Sequence, residues 1–319
     1  MNISVLGCGR WGSFHSWYAN HIGHNVTLWG REGSSNLKQL AETRQNEYLF
    51  LPETVVLTND LEKAVAAADI CIISIKAQAF RNFTKQLKTI KTITTKPLLL
   101  CMKGLESETG KRLSEIGYEE LGKNATLAVW VGPGHVQDFI KGMPNCMVIA
   151  SENTELTKVL VQTLTSPLIR FYYGHDLLGT EIGAAAKNVI GIAAGMLDGL
   201  GCSSLKGALM SRGTHELSKL IAAMGGNNMT VYGLSHLGDY EATLFSPYSN
   251  NRRYGEGLIK HEFFEKLAEG FYTAEALINL SNKYGAELPI SRTVYEITHN
   301  NKDPKEGLEG LFLRSLKDE

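Results

Sequence analysis

The sequence predicts an α/β domain with a mostly parallel sheet, followed by an all-α domain. Three observations carry this reading. Short apolar runs alternate with amphipathic stretches through the first half, the strand signal stops after about Tyr173, and the rest of the chain has helical period. The expected boundary separates residues 1–174 from 175–319. A chain of 319 residues is long enough for two cores.

Strands are expected at Ile3–Leu6, Val26–Trp29, Val55–Thr58, Ile70–Ile75, Leu98–Met102, Leu127–Val131, Met147–Ala150 and Ile169–Tyr173. Several are apolar at every position, as strands covered on both faces should be. Helical patterns lie between them, such as Leu61–Ala68, with Asn59 as its expected cap, and Phe80–Ile90. The second half reads as helices over 176–200, 204–224, 261–284, 289–299 and from about 303. The stretch 225–257, richer in Gly, Asn and Ser, is expected to hold a loop.

A formal charge of −1, with no block of like charge, gives no sign of nucleic acid as a partner. The five cysteines have no metal-like spacing, so no metal is expected. Four of them sit in or beside apolar runs, which fits a reducing compartment. The N-terminus already reads as a strand, without a charged leader, and the expected location is cytoplasmic. The apolar run 184–200 carries Lys187, Asn188 and Asp198 with several glycines. It is therefore expected to be a core helix and not a membrane span.

Gly7-Cys-Gly9-Arg10-Trp11-Gly12 follows the first strand and opens a helical stretch. In that context GxGxxG points to a dinucleotide and a Rossmann-like domain. Gly7 permits the turn, Gly9 lets a pyrophosphate approach the backbone, and Gly12 lets helix pack on strand. The helix start supplies free N–H groups and a positive dipole end. The alternative is a plain glycine-rich turn. The second strand ends in Gly30-Arg31, where an NAD-specific site would place an acid. Arg31 can pair with a 2′-phosphate and favours NADP over NAD, whereas Glu32 next door would reverse the preference.

The segment Glu181–Gly201 is a helix of small and aliphatic residues with Lys187 and Asn188 in its apolar middle. A helix apolar all round is normally buried, and a buried ammonium must be paired, neutralised or used. Desolvation shifts a lysine pKa readily, which suits proton transfer. The alternative is a lysine that snorkels to the surface.

Lys103 stands at the carboxyl end of the fifth expected strand, the edge where open α/β sheets bind ligands. Gly132-Pro-Gly134-His135 follows the sixth strand and could offer backbone N–H groups to an anion, or simply turn. Asp239, in Ser235–Thr243, could hold Lys187 in place or cap a helix. Ser249-Asn250-Asn251-Arg252-Arg253 suits phosphate or is a solvated loop.

Taken together, these segments resemble the NAD(P)-dependent glycerol-3-phosphate dehydrogenase family. The resemblance runs from the Gly7–Gly12 loop and Thr27–Arg31 through Lys103–Glu106, Gly132-Pro133, Glu181–Gly195 and Gly233–Asp239. It continues in Ala268–Ala274 and in the tail Lys302–Glu306. It implies a reductase that interconverts dihydroxyacetone phosphate and sn-glycerol 3-phosphate, feeding glycerophospholipid synthesis and acting as a homodimer. Lys187 then matches the proton donor, Lys103 the second lysine near the carbonyl, and Asp239 the acid bonded to both. Arg10, Trp11, Arg31, Lys103, Val136, Asn250, Leu267 and Glu269 match cofactor contacts. Gly132, Gly134, Asn188, Ser249, Asn250, Asn251 and Arg252, with the two lysines and Asp239, match substrate contacts. The site is expected between the two domains.

Three positions depart from the family pattern. Members typically read Ser-Arg-Asn where this chain has Ser249-Asn250-Asn251. A hydroxyl residue after Gly-Pro is Gly134 here, and the Asn of a Gly-Asp-Asn segment is Ser204. Arg252 or Arg253 is the expected substitute for the missing phosphate arginine. Without one, the chain would act on another small ketone or alcohol. A nicotinamide-binding regulator without turnover is the reading from a different class, and Lys103, Lys187 and Asp239 argue against it.

Overall fold

Eight strands form one sheet: β1 Asn2–Leu6, β2 Asn25–Trp29, β3 Val56–Thr58, β4 Ile70–Ile73, β5 Leu98–Leu100, β6 Leu127–Val131, β7 Asn145–Ala150 and β8 Ile169–Gly174. This is a computed structural model, and it describes residues 1–315. The strand order is β3-β2-β1-β4-β5-β6-β7-β8. Neighbours are parallel except β6 and β7. Strand order reverses beside β1, the switch point where a doubly wound sheet binds its ligand.

Every expected strand is present, and two end early for a single reason. β1 stops at Leu6, where the chain enters the glycine loop. Ile73 of β4 is in register with Leu6, and Leu100 of β5 with Ile73, so past that line β4 loses β1 and β5 loses β4, although β6 runs on to Val131. Alternate residues serve opposite faces. Ile70 and Ile72 join one apolar cluster with Val5, Phe14 and Trp130, while Cys71 and Ile73 join another with Leu6, Phe80 and Leu100. Burial on both faces accounts for the uninterrupted apolar runs.

Met1–Met102 and Leu113–Leu177 form one compact unit. Lys103–Arg112 and the chain from Leu178 onward form the other. The first unit therefore gives up an internal segment to the second, which a contiguous reading of the sequence does not show.

The second unit is built around the helix Leu177–Gly199. Ile182, Ala185, Ala186, Val189, Ile192 and Met196 enter one apolar cluster, and Ile190 and Ala194 another with Tyr240 and Leu244. The helix is apolar all round because it is surrounded. It meets the helix Asn250–Lys260 at backbone distance: a Cβ on Gly195 would lie 1.9 Å from the Arg252 carbonyl oxygen, and one on Gly255 2.0 Å from that of Ile192. Further helices span Lys206–Ala223, Glu269–Tyr284, Pro289–Asn300 and Pro304–Phe312.

Three sequence expectations are corrected here. Asp60, not Asn59, caps the helix Leu61–Ala67, its carboxylate accepting from the Lys63 N–H at 2.9 Å. The expected loop 225–257 contains a true helix from Asn250, started by the Ser249 side chain. The helix expected over 261–284 begins only at Glu269, because the preceding one ends with His261 in a left-handed conformation. Among the described residues, no helix is long and apolar enough to cross a membrane.

Candidate active site

The glycine loop of the first unit is shaped by what its residues cannot carry. A Cβ on Gly7 would meet the Ser74 carbonyl oxygen at 2.2 Å, and one on Gly12 the Gly7 carbonyl oxygen at 1.7 Å. Both positions are closed by packing. Gly9 is the opposite: a Cβ there meets nothing within 4 Å. Gly9 is also the N-cap of the helix Arg10–His21, with no side chain capping it and no acid in its first turn. An open helix start that no side chain caps offers N–H groups and a positive dipole end to a pyrophosphate, so the residues present fit a dinucleotide.

Around it, Arg31 and Glu32 are both exposed, and Arg31 has no side-chain partner among the described residues. Arg10 is engaged, donating to Gln137 at 2.6 Å and lying over the Tyr48 ring. Val136 opens the helix Val136–Ile140 with its side chain wholly in the core, so only its backbone can face a ligand. Gly134 has φ +133°, and a Cβ there would lie 2.5 Å from the Phe139 ring. The backbone here requires glycine, and a hydroxyl side chain would not simply fit.

The second unit gathers the charged groups. Lys187 points from the middle of its helix to Asp239, Nζ to Oδ2 at 2.7 Å, and donates to the Thr243 hydroxyl at 2.7 Å. Lys103 Nζ lies 2.8 Å from the same Oδ2. Side-chain exposure is 8% for Lys187, 18% for Lys103 and 1% for Asp239. The Oδ1 atom of Asp239 is buried without a hydrogen-bond partner. Burial pulls the Lys187 ammonium down to about 8. Asp239 pushes back upward and Lys103 adds to the fall. An ammonium poised near neutrality, held on two sides, can give a proton to a substrate oxygen.

Lys103 reaches this cluster because its segment, Lys103–Arg112, is fastened to the central helix. Arg112 pairs with Glu181 at 2.9 Å in a buried salt bridge, where stranding one partner typically costs about 3–5 kcal/mol. Asn188 donates to the Lys103 carbonyl at 2.9 Å. Asn251 donates to the Asn188 side-chain oxygen at 3.0 Å and accepts from the Gly270 N–H at 2.9 Å. Asn188 and Asn251 thus form a relay that fixes the Lys103 backbone. Asn250 donates to the Leu267 carbonyl at 3.1 Å, and the Ser249 hydroxyl accepts from the Arg252 N–H.

Arg252 does not stand ready for a phosphate. Its Nε lies 2.7 Å from Asp198 and a terminal nitrogen 3.3 Å from Glu256, while Lys206 shares the Asp198 carboxylate at 2.7 Å. Arg253 is exposed, its guanidinium 5.6 Å from the Phe264 ring centroid. Two groups went unassigned in the sequence reading. Thr243 sits one helical turn after Asp239, a spacing that could have found it. His236 carries no comparable signal.

Family models of the NAD-dependent glycerol-3-phosphate dehydrogenase N-terminus and C-terminus match residues 2–157 and 176–309. A relative from Fusobacterium nucleatum, named glycerol-3-phosphate dehydrogenase (NAD(P)+), is 37% identical over 99% of this chain and 98% of its own length. One of the same name from Thermoanaerobacter is 33% identical over 100% of this chain and 99% of its own. The crystal structure of glycerol-3-phosphate dehydrogenase from Coxiella burnetii superposes with a TM-score of 0.91 at 28% identity, covering 98% of this chain and 99% of the other. With both halves matched and relatives aligned end to end, the chain belongs to the NAD-dependent glycerol-3-phosphate dehydrogenase family.

Proposed function

We propose that this protein is an oxidoreductase that interconverts dihydroxyacetone phosphate and sn-glycerol 3-phosphate. The observation that carries the reading is the carboxylate oxygen of Asp239 shared by Lys187 and Lys103 at 2.7 and 2.8 Å. A bound nicotinamide supplies the hydride, delivered to the central carbon of the substrate. Lys187 gives its proton to the carbonyl oxygen, which completes the secondary alcohol. Asp239 and Thr243 hold two of its N–H bonds and leave the third for that oxygen. Lys103 offsets the negative charge that develops on the same oxygen. Asp239 keeps both ammonium groups in place, and the Asn188–Asn251 relay holds Lys103 from its backbone side.

The names of the relatives support this substrate and cofactor pair. In a coupled assay with dihydroxyacetone phosphate, absorbance at the nicotinamide band should fall with enzyme. NADPH should give the higher kcat/KM, since the Arg31 guanidinium is exposed and can pair with a 2′-phosphate. No turnover of this ketone with either cofactor would overturn the assignment and leave another ketone, or a regulator that only binds the cofactor. A homodimer in the cytoplasm belongs to the same proposal, and the five free cysteines suit a reducing compartment.

The helix Asn250–Lys260 suits the phosphate end, since its first turn carries no acid and its N-terminus favours an anion. With Arg252 committed to Asp198 and Glu256, the site lacks the arginine that the family resemblance implies at position 250. Asn250→Arg is therefore expected to lower KM for dihydroxyacetone phosphate by up to about tenfold, the equivalent of 1.4 kcal/mol, with kcat little changed. An unchanged KM would place the phosphate away from this helix start.

A further inference from the structure

Asp239 lies on a turn of only three residues, Leu237–Asp239, a slight frame for a carboxylate that must face two ammonium groups. Thr243 steadies one side of it by donating its hydroxyl to the Asp239 carbonyl at 2.7 Å. The other side is held by a buried histidine. His236 Nδ1 lies 2.9 Å from the Gly183 carbonyl oxygen and Nε2 lies 2.6 Å from the Tyr240 hydroxyl. Gly183 is one helical turn before Lys187 on the same face of the central helix, and Tyr240 is the residue after Asp239.

We infer that His236 is a positioning residue: its imidazole clamps the Asp239 turn to the helix that carries Lys187 and so sets where the carboxylate meets both lysines. The inference rests on the proposed role of Lys187 as proton donor.

The chemistry of the two partners fixes the ring. A carbonyl oxygen can only accept, so Nδ1 carries the proton. Nε2 must then accept, and the Tyr240 hydroxyl donates. Burial pushes the imidazole down to about 4, so near neutral pH the bridge stays uncharged and keeps one tautomer. The helix comes close at a residue without a side chain, since a Cβ on Gly183 would lie 3.1 Å from His236 Cβ. The imidazole thus bridges the Gly183 carbonyl and the Tyr240 hydroxyl with both nitrogens satisfied.

A clamp acts on catalysis through the lysine cluster, and this separates it from mere packing. His236→Phe keeps the ring volume and removes both bonds. It is expected to lower kcat about 10–100-fold, as small misplacements of reacting groups do, with the NADPH dissociation constant unchanged. His236→Asn can still donate to Gly183 and should recover most of that loss. Tyr240→Phe should lower kcat several-fold and keeps the test open if His236→Phe misfolds. In a Lys187→Ala background, His236→Phe should add little further loss, because the clamp acts through Lys187. Wild-type kcat in both His236→Phe and Tyr240→Phe, or full additivity with Lys187→Ala, would overturn the inference. Lys187→Ala with undiminished kcat would instead bring down the proton-donor reading on which it rests.

Discussion

Replacing Lys187 by alanine is expected to lower kcat by about 10²–10⁴-fold while leaving NADPH affinity nearly intact. The range is that of general acid catalysis by a positioned side chain. Affinity should survive because the open glycine loop belongs to the first unit and Lys187 to the core of the second. The same assignment fixes a pH dependence. Burial lowers the Lys187 ammonium to about 8, and ketone reduction needs it protonated. Reduction should therefore fall as pH rises through about 8, and alcohol oxidation, which needs the free amine as base, should rise over the same interval. Near wild-type kcat in Lys187→Ala, or a flat profile across that interval, would remove Lys187 as the proton donor.

The sheet was legible because burial on both faces writes itself into the sequence. Ile70, Cys71, Ile72 and Ile73 are all apolar since alternate residues fill different clusters. The helix around Lys187 was legible for the same reason, and a charged residue inside such a helix marks itself. Element ends were less so. β4 stops where β1 stops and β5 where β4 stops, and that register is a property of the sheet, not of either strand. The helix from Asn250 hid inside a polar run, because its fully buried positions are the glycines Gly255 and Gly257, while its apolar residues Tyr254, Leu258 and Ile259 are only partly buried.

Within the site, the residue types and the pairing of Asp239 with the two lysines were readable, and most other partners were not. Asp239 and Lys187 lie far apart in sequence, and their pairing is expected only from the chemistry of a buried ammonium and from the family resemblance. That Lys103 joins the second unit depends on Arg112 meeting Glu181 and on the relay through Asn188 and Asn251. No local pattern encodes those pairings. Arg252 shows the converse. Its sequence position invites a phosphate, but Asp198 and Glu256 take its guanidinium, and only three-dimensional neighbours could reveal that.

Gly9→Val is expected to abolish tight cofactor binding in a protein that still folds. Gly9 has an extended backbone, φ −77° and ψ −168°, which valine adopts without strain, and its Cβ direction is open for 4 Å. The folded state should lose little, so the thermal midpoint should stay near wild type. Binding is another matter, because the side chain would fill the space where a pyrophosphate must lie against the backbone N–H groups. Hydrogen bonds to a charged group contribute about 1.5–3 kcal/mol each, so losing even two should raise the NADPH dissociation constant about 100-fold or more. Gly12→Val is the contrasting variant. Its Cβ would sit 1.7 Å from the Gly7 carbonyl oxygen, so there the fold itself should fail, with a lowered thermal midpoint. Fluorescence titration with NADPH, alongside thermal unfolding, separates the two outcomes. A folded Gly9→Val protein with unchanged affinity would mean that the loop shapes the first unit and holds no pyrophosphate.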